Sequence, residues 1–134
     1  MLGFVIFLLS EVMIFFSIFW TYFHSSLNPS IELVYWPPLG INSVNYLSLP
    51  LLNSVLLLSG GFIATWGHHA FLMGNKTNTL LGLIIAIILT IIFLFLQYIE
   101  YNYAEFTISD SVYGSCFFAG TGLHGIHVMM AVIF

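Results

Sequence analysis

Leu2–His24, LGFVIFLLSEVMIFFSIFWTYFH, is long and apolar enough to cross a bilayer, and it carries one carboxyl, Glu11, near its middle. A spanning helix needs about 20 apolar residues. At about 1.5 Å of rise per residue, Glu11 lies roughly 14 Å from the start of the helix, close to the bilayer centre. Its same-face neighbours Phe7, Leu8, Ile14 and Phe15 offer neither a cation nor a hydrogen-bond donor. A partner for Glu11 must therefore come from another helix, or the acid stays protonated. Because intramembrane acids usually face a bundle interior, this helix reads as one wall of a multi-helix membrane protein with Glu11 turned inward.

The rest of the chain agrees. Of 134 residues, 60% are hydrophobic, 18% aromatic and 4% charged, and the mean hydropathy is +1.08. Apolar stretches longer than about 18 residues exclude a transmembrane β-barrel, whose segments alternate over about 10 residues. The expected fold is all-α, a polytopic bundle of four spanning helices forming a single membrane domain over residues 1–134 and part of a larger bundle. Spans are expected at about 2–24, 49–71, 79–101 and 111–134, with an outer loop at 25–48, an inner loop at 72–78 and an outer loop at 102–110.

Five acidic residues stand against Lys76, the one basic residue. That is too little positive charge to hold a phosphate backbone, so nucleic acid is excluded as a partner. Cys116 is the one cysteine, so neither an internal disulfide nor a cysteine metal site is available. The chain enters its first span without a recognisable targeting segment, which suits synthesis beside its own membrane, in a bacterium or an organelle with its own genome. Lys76 places the 72–78 loop, and with it both termini, on the side of synthesis. The acidic loops then face the other side.

Pro29, Pro37, Pro38 and Gly40 break the first loop against helix, and Trp20, Tyr22, Tyr35 and Trp36 form an aromatic belt beside it. Ser48 is a candidate cap for the second span, with Pro50 in the first turn. Asn53, Gly60, Ala64 and Gly67 share a stripe of that span, and Ser115, Ala119 and Gly122 share one on the fourth; small residues at such spacing let helices approach closely in lipid. Glu100, Glu105 and Asp110, with Trp36, are expected at a solvated rim where they can orient a partner subunit.

The histidines invite a metal reading, which spacing resists. His24 ends the first span on the outer side and His68–His69 end the second on the inner side, about 30 Å of hydrocarbon apart. His124 and His127 share one helical face, a spacing found in metal-binding bundles, yet such sites need several carboxylates and Glu11 is the one deep acid. No metal site is expected. By depth, His127 and then His124 fall near the level of Glu11, and an acid–imidazole hydrogen bond would satisfy both groups. Two readings of Glu11 remain open: a neutral acid that fixes helix packing, and a titrating group on a proton path.

Taken in order, these motifs resemble subunit III of the haem–copper cytochrome c oxidases. The resemblance rests on Ser10-Glu11-Val12-Met13, Phe23-His24-Ser25-Ser26-Leu27, Trp36-Pro37-Pro38-Leu39-Gly40-Ile41 and Leu49-Pro50-Leu51-Leu52-Asn53. It continues through Thr65-Trp66-Gly67-His68-His69, Glu105-Phe106-Thr107-Ile108-Ser109-Asp110, Val112-Tyr113-Gly114-Ser115 and Gly122-Leu123-His124-Gly125-Ile126-His127-Val128.

The resemblance implies a non-catalytic subunit of the respiratory terminal oxidase, which passes electrons from cytochrome c to oxygen and pumps protons. It implies support for the catalytic subunit I, contact with other complex IV subunits, and sustained turnover. No cofactor is implied in this chain; haem a, haem a3 and copper belong to partner subunits. Structural phospholipid is implied, with Glu11 matching the family's buried carbodiimide-reactive acid. The four spans resemble the family's third to sixth helices, while its first two and its last have no counterpart; the expectation is either a split or divergent gene or other chains that supply them. The implied place is the mitochondrial inner membrane, both termini in the matrix, with a bacterial plasma membrane as the alternative. The competing reading is a histidine-box di-iron or haem membrane enzyme using His68, His69, His124 and His127; a transporter segment is disfavoured by the lack of an internal repeat.

Overall fold

A computed structural model describes residues 2–29 and 35–133, and Glu32 lies outside the described residues. Four helices follow in order: α1 (Leu2–Leu27), α2 (Leu49–Leu72), α3 (Lys76–Tyr103) and α4 (Ser111–Ile133). All four are long and apolar enough to cross a membrane, with windows of mean hydropathy 2.4, 1.5, 3.1 and 1.6. No strand occurs among the described residues, so the fold is all-α.

The helix ends depart by a few residues from the expected spans. α1 continues through His24, Ser25 and Ser26 to Leu27, with the Ser26 hydroxyl bonded back to the Phe23 carbonyl at 3.1 Å. α3 begins at Lys76 because Asn75 caps it, its side chain accepting from the Asn78 N–H at 3.3 Å. Ser48 does not cap α2: its hydroxyl donates instead to the Asn45 carbonyl at 2.7 Å, inside a turn that Asn45 also closes by accepting from the Leu47 N–H. Pro50 does sit in the first turn of α2, where its missing N–H has no intrahelical partner to lose.

The contacts group the chain into two compact units, one of Met1–Ser43 with Glu105–Ile126 and one of Val44–Ala104 with His127–Phe134. In the second unit, α2 and α3 pack as an antiparallel hairpin. The less exposed residues of α2 recur at Asn53, Leu56, Leu57, Gly60, Ile63, Ala64 and Gly67, and those of α3 at Gly82, Ile85, Ala86, Leu89, Phe93, Leu96, Gln97 and Glu100. This three-and-four spacing is one stripe per helix, and the two stripes face each other.

The hairpin is tightest at Gly67 and Gly82. A Cβ built on Gly82 would lie 2.8 Å from the Gly67 Cα and 3.3 Å from the Ile63 carbonyl oxygen, so backbone meets backbone. One heptad away, Gly60 faces a side chain, with its added Cβ 3.9 Å from the Leu89 Cβ. Two apolar helices gain nothing by leaving lipid for each other, so contact this close, through dispersion, is what holds them together.

In the first unit, Phe106 is 4% exposed and anchors the start of α4 by ring contacts with Tyr113, Phe117 and Phe118 at centroid separations of 5.5, 5.2 and 5.6 Å. Gly114 lets the 104–110 loop lie on α4, because a Cβ there would run into the Thr107 carbonyl oxygen. Asp110 holds that loop by accepting from the Thr107 N–H at 2.7 Å and its hydroxyl at 3.0 Å, and the Ser115 hydroxyl donates to Ile108 O at 2.8 Å.

Two substitutions test these contacts. Gly82→Leu should open the hairpin at the cost of about 1–3 kcal/mol or more, read as a lower thermal midpoint of the solubilised protein and faster proteolysis at the 73–75 turn. Gly114→Ala should detach the loop from α4, read as faster cleavage between residues 104 and 111, while Gly3→Ala, which meets nothing within 4 Å, leaves both readouts unchanged.

Candidate functional site

The buried polar groups of the hairpin gather at its open end. Asn53 is 4% exposed and Glu100 6% exposed, and the Asn53 Nδ2 donates to Glu100 Oε2 at 3.3 Å. Asn53 lies about 6 Å from the start of α2 and Glu100 about 5 Å from the end of α3, so the pair sits one turn inside the hairpin's mouth. The Asn53 Oδ1 and the Gln97 Nε2 are also buried, and neither has a hydrogen-bond partner. Gln97 stands three residues before Glu100, on the same face of α3.

This placement corrects one expectation. Glu100 is not at a solvated rim; its carboxyl is inside the α2–α3 seam. It shares a stripe with Gly82, Phe93 and Leu96, and the same helical phase that buries them buries it. Lys76, the one basic side chain, is about 36 Å away along α3, so the carboxyl meets an amide and not a cation. Gln97 was not singled out from sequence, though its three-residue spacing from Glu100 was there to be read.

Glu105 and Asp110 are exposed, and both are engaged locally. Glu105 accepts from Asn42 Nδ2 at 2.6 Å, and Asp110 serves the Thr107 turn. Trp36, preceding Pro37 in a cis peptide, is half-buried between two tyrosines. Its ring centroid is 5.5 Å from Tyr22 and 5.6 Å from Tyr113, both in edge-on geometry. Its ring therefore ties α1, the loop and α4 together inside the first unit.

Glu11 is half-buried on the stripe of α1 that also carries Phe15, Ile18 and Tyr22. That stripe faces α4, since a Cβ built on Gly120 would lie 3.5 Å from Ile18 Cγ2. Between α1 and α4 the first unit holds an apolar cavity of about 700 Å³, lined on one side by Phe15, Ile18, Phe19, Tyr22 and Phe23 and on the other by Tyr113, Cys116, Phe117, Gly120, Thr121 and His124. Of the expected α4 packing stripe, Gly122 is half-buried, whereas Ser115 and Ala119 are exposed in this chain. On α4, Gly114 meets the 104–110 loop and Gly120 meets Ile18 of α1, while Ser115 reaches the same loop through its hydroxyl. On α2, Gly60 and Ala64 are half-buried and Asn53 and Gly67 buried along the seam.

His68 and His69 are exposed near the end of α2, and no group of three His, Cys, Asp or Glu side chains that could hold a metal occurs among the described residues.

Comparison with known proteins bears on the whole chain. The family model for cytochrome c oxidase subunit III matches residues 1–134. The protein named cytochrome c oxidase subunit 3 of Emericella nidulans is 51% identical over 134 residues, covering 99% of this chain and 50% of that protein. Those of Vanderwaltozyma polyspora and Saccharomyces cerevisiae are each 54% identical, over 133 and 130 residues, covering 98% and 96% of this chain and 49% and 48% of theirs. The chain thus spans about half the length of the curated relatives it matches. An all-α, four-span membrane chain matched along its entire length at this identity belongs to the cytochrome c oxidase subunit III family.

Proposed function

We propose that this chain is a non-catalytic structural subunit of the respiratory terminal oxidase, which carries electrons from cytochrome c to oxygen and pumps protons. The observation that carries the reading is the family match over all 134 residues. The chain's own residues would supply helix surface rather than chemistry. The α2–α3 hairpin is a self-contained rod pair, and the apolar outer faces of α1 and α4 are available to lipid and to neighbouring subunits. Haem a, haem a3 and copper then reside in partner chains, with subunit I as the direct partner and the other complex IV subunits around it. Structural phospholipid fills the crevices of the bundle.

In this reading the membrane is the mitochondrial inner membrane, with Lys76 and both termini on the matrix side, as the bias of basic loops toward the side of synthesis requires. Glu105 and Asp110 lie on the opposite face, exposed, and can orient a partner through the charge they keep while bonded to Asn42 and Thr107. Glu100 has no such role, since its carboxyl is spent within the hairpin. The depth of residues along the sequence pairs Glu11 with an imidazole of α4, His127 first and His124 second.

Two measurements test this. Purification of the tagged chain in mild detergent should recover haem a and copper in constant proportion to it; recovery of the chain free of both metals at every detergent strength would overturn the assignment. For Glu11, Glu11→Leu and His127→Leu should each lower the thermal midpoint of the assembled protein, whereas Glu11→Gln, which keeps a hydrogen-bonding group, should lower it less. The double variant should recover about 1–3 kcal/mol relative to the sum of the single losses, because each single change leaves a buried polar group alone. Strict additivity would reject the His127 pairing and move the same cycle to His124.

A further inference from the structure

The open end of the α2–α3 hairpin holds three polar side chains and too few hydrogen bonds. Asn53 gives one N–H to Glu100 at 3.3 Å, the long end of the range for such a bond. Its own carbonyl oxygen is buried without a donor, and the Gln97 Nε2 is buried without an acceptor. An orphaned acceptor and an orphaned donor in the same seam are of opposite sense, so one small molecule able both to accept and to donate can serve them together.

The register brings them to one level. Gly67 faces Gly82 and Gly60 faces Leu89, so each heptad along α2 is matched by a heptad along α3. The next step sets Asn53 opposite Leu96, with Gln97 beside it and Glu100 one turn further toward the mouth. The seam also widens in this direction. Backbone touches backbone at Gly67 and Gly82, whereas a heptad further on the Leu89 side chain already fits between the helices. Polar groups that fail to close on one another across a widening gap are where proteins hold internal water, which makes two to four hydrogen bonds in such sites.

We propose that a single water molecule is bound between α2 and α3, accepting from Gln97 Nε2 and donating to Asn53 Oδ1 and to the Glu100 carboxylate. It gives a partner to each of the two orphaned atoms and a second donor to the carboxylate. A metal cation fits the set less well, because it would satisfy the two oxygens and be repelled by the amide hydrogens of Gln97. The site is distinct from anything required of an oxidase subunit, and the inference does not rest on that assignment.

The test is electron cryo-microscopy of the solubilised protein, with whatever chains accompany it, at a resolution that shows ordered water. The expected result is one peak about 2.7–3.2 Å from Asn53 Oδ1, Gln97 Nε2 and a Glu100 carboxylate oxygen. A Gln97 amide bonded directly to Asn53 with no peak between them would overturn the proposal. So would a peak about 2.3–2.6 Å from several oxygens, the mark of a bound cation. In Gln97→Met, which keeps the length and removes the donor, the peak should be lost; its persistence at full height would equally overturn the site as drawn.

Discussion

A chain that buries an acid between helices while carrying one lysine and no arginine must satisfy that acid without a cation of its own. In a bilayer core there is no bulk water, so a buried polar group depends on partners within the protein or on a water the protein itself encloses. The hairpin meets this constraint at Glu100 by setting an amide, Asn53, across from it. The remaining polar side chains follow the same economy. Ser10, Ser17, Thr21, Thr65, Thr90 and Thr121 each return a hydroxyl to a carbonyl three or four residues back in their own helix, which hides a donor without asking anything of a neighbour.

Packing is governed by a second consequence of the apolar surroundings. Apolar faces alone do not drive helix association in lipid, so contact depends on close approach. Gly67 and Gly82 provide it for the hairpin, and Gly114 and Gly120 provide it within the first unit. The large residues, by contrast, are mostly on the outside: Phe4, Phe16, Trp20, Phe62, Phe95 and many leucines and isoleucines are exposed. For a soluble domain that distribution would be inverted. In a membrane subunit it marks the surface offered to lipid and to other chains.

The aromatic cluster around Trp36 and Phe106 shows how a loop gains order where helices do not supply it. Trp36 contacts Tyr22 of α1 and Tyr113 of α4, and Phe106 rests on Tyr113, Phe117 and Phe118. Edge-on ring contacts add to the burial of area and fix orientation. The sequence marked Trp36 as an interfacial aromatic, which it can be; its second task, bridging two helices, needed Tyr22 and Tyr113 to come together in space.

What the sequence determined by itself is what depends on one segment at a time. Length and hydropathy are summed along a stretch, so four spanning helices and an all-α fold were legible before any contact was known, to within a few residues at each end. The identity of the motifs, read in order, carried the family. What depends on two segments was decided by the tertiary structure. Whether Glu100 faces solvent or a seam, whether Gly67 meets Gly82, and whether Gly120 meets α1 are questions of helix rotation and register. A rotation of a quarter turn changes every answer while leaving hydropathy untouched. Only packing, where backbone touches backbone and an amide reaches a carboxyl, fixes that angle.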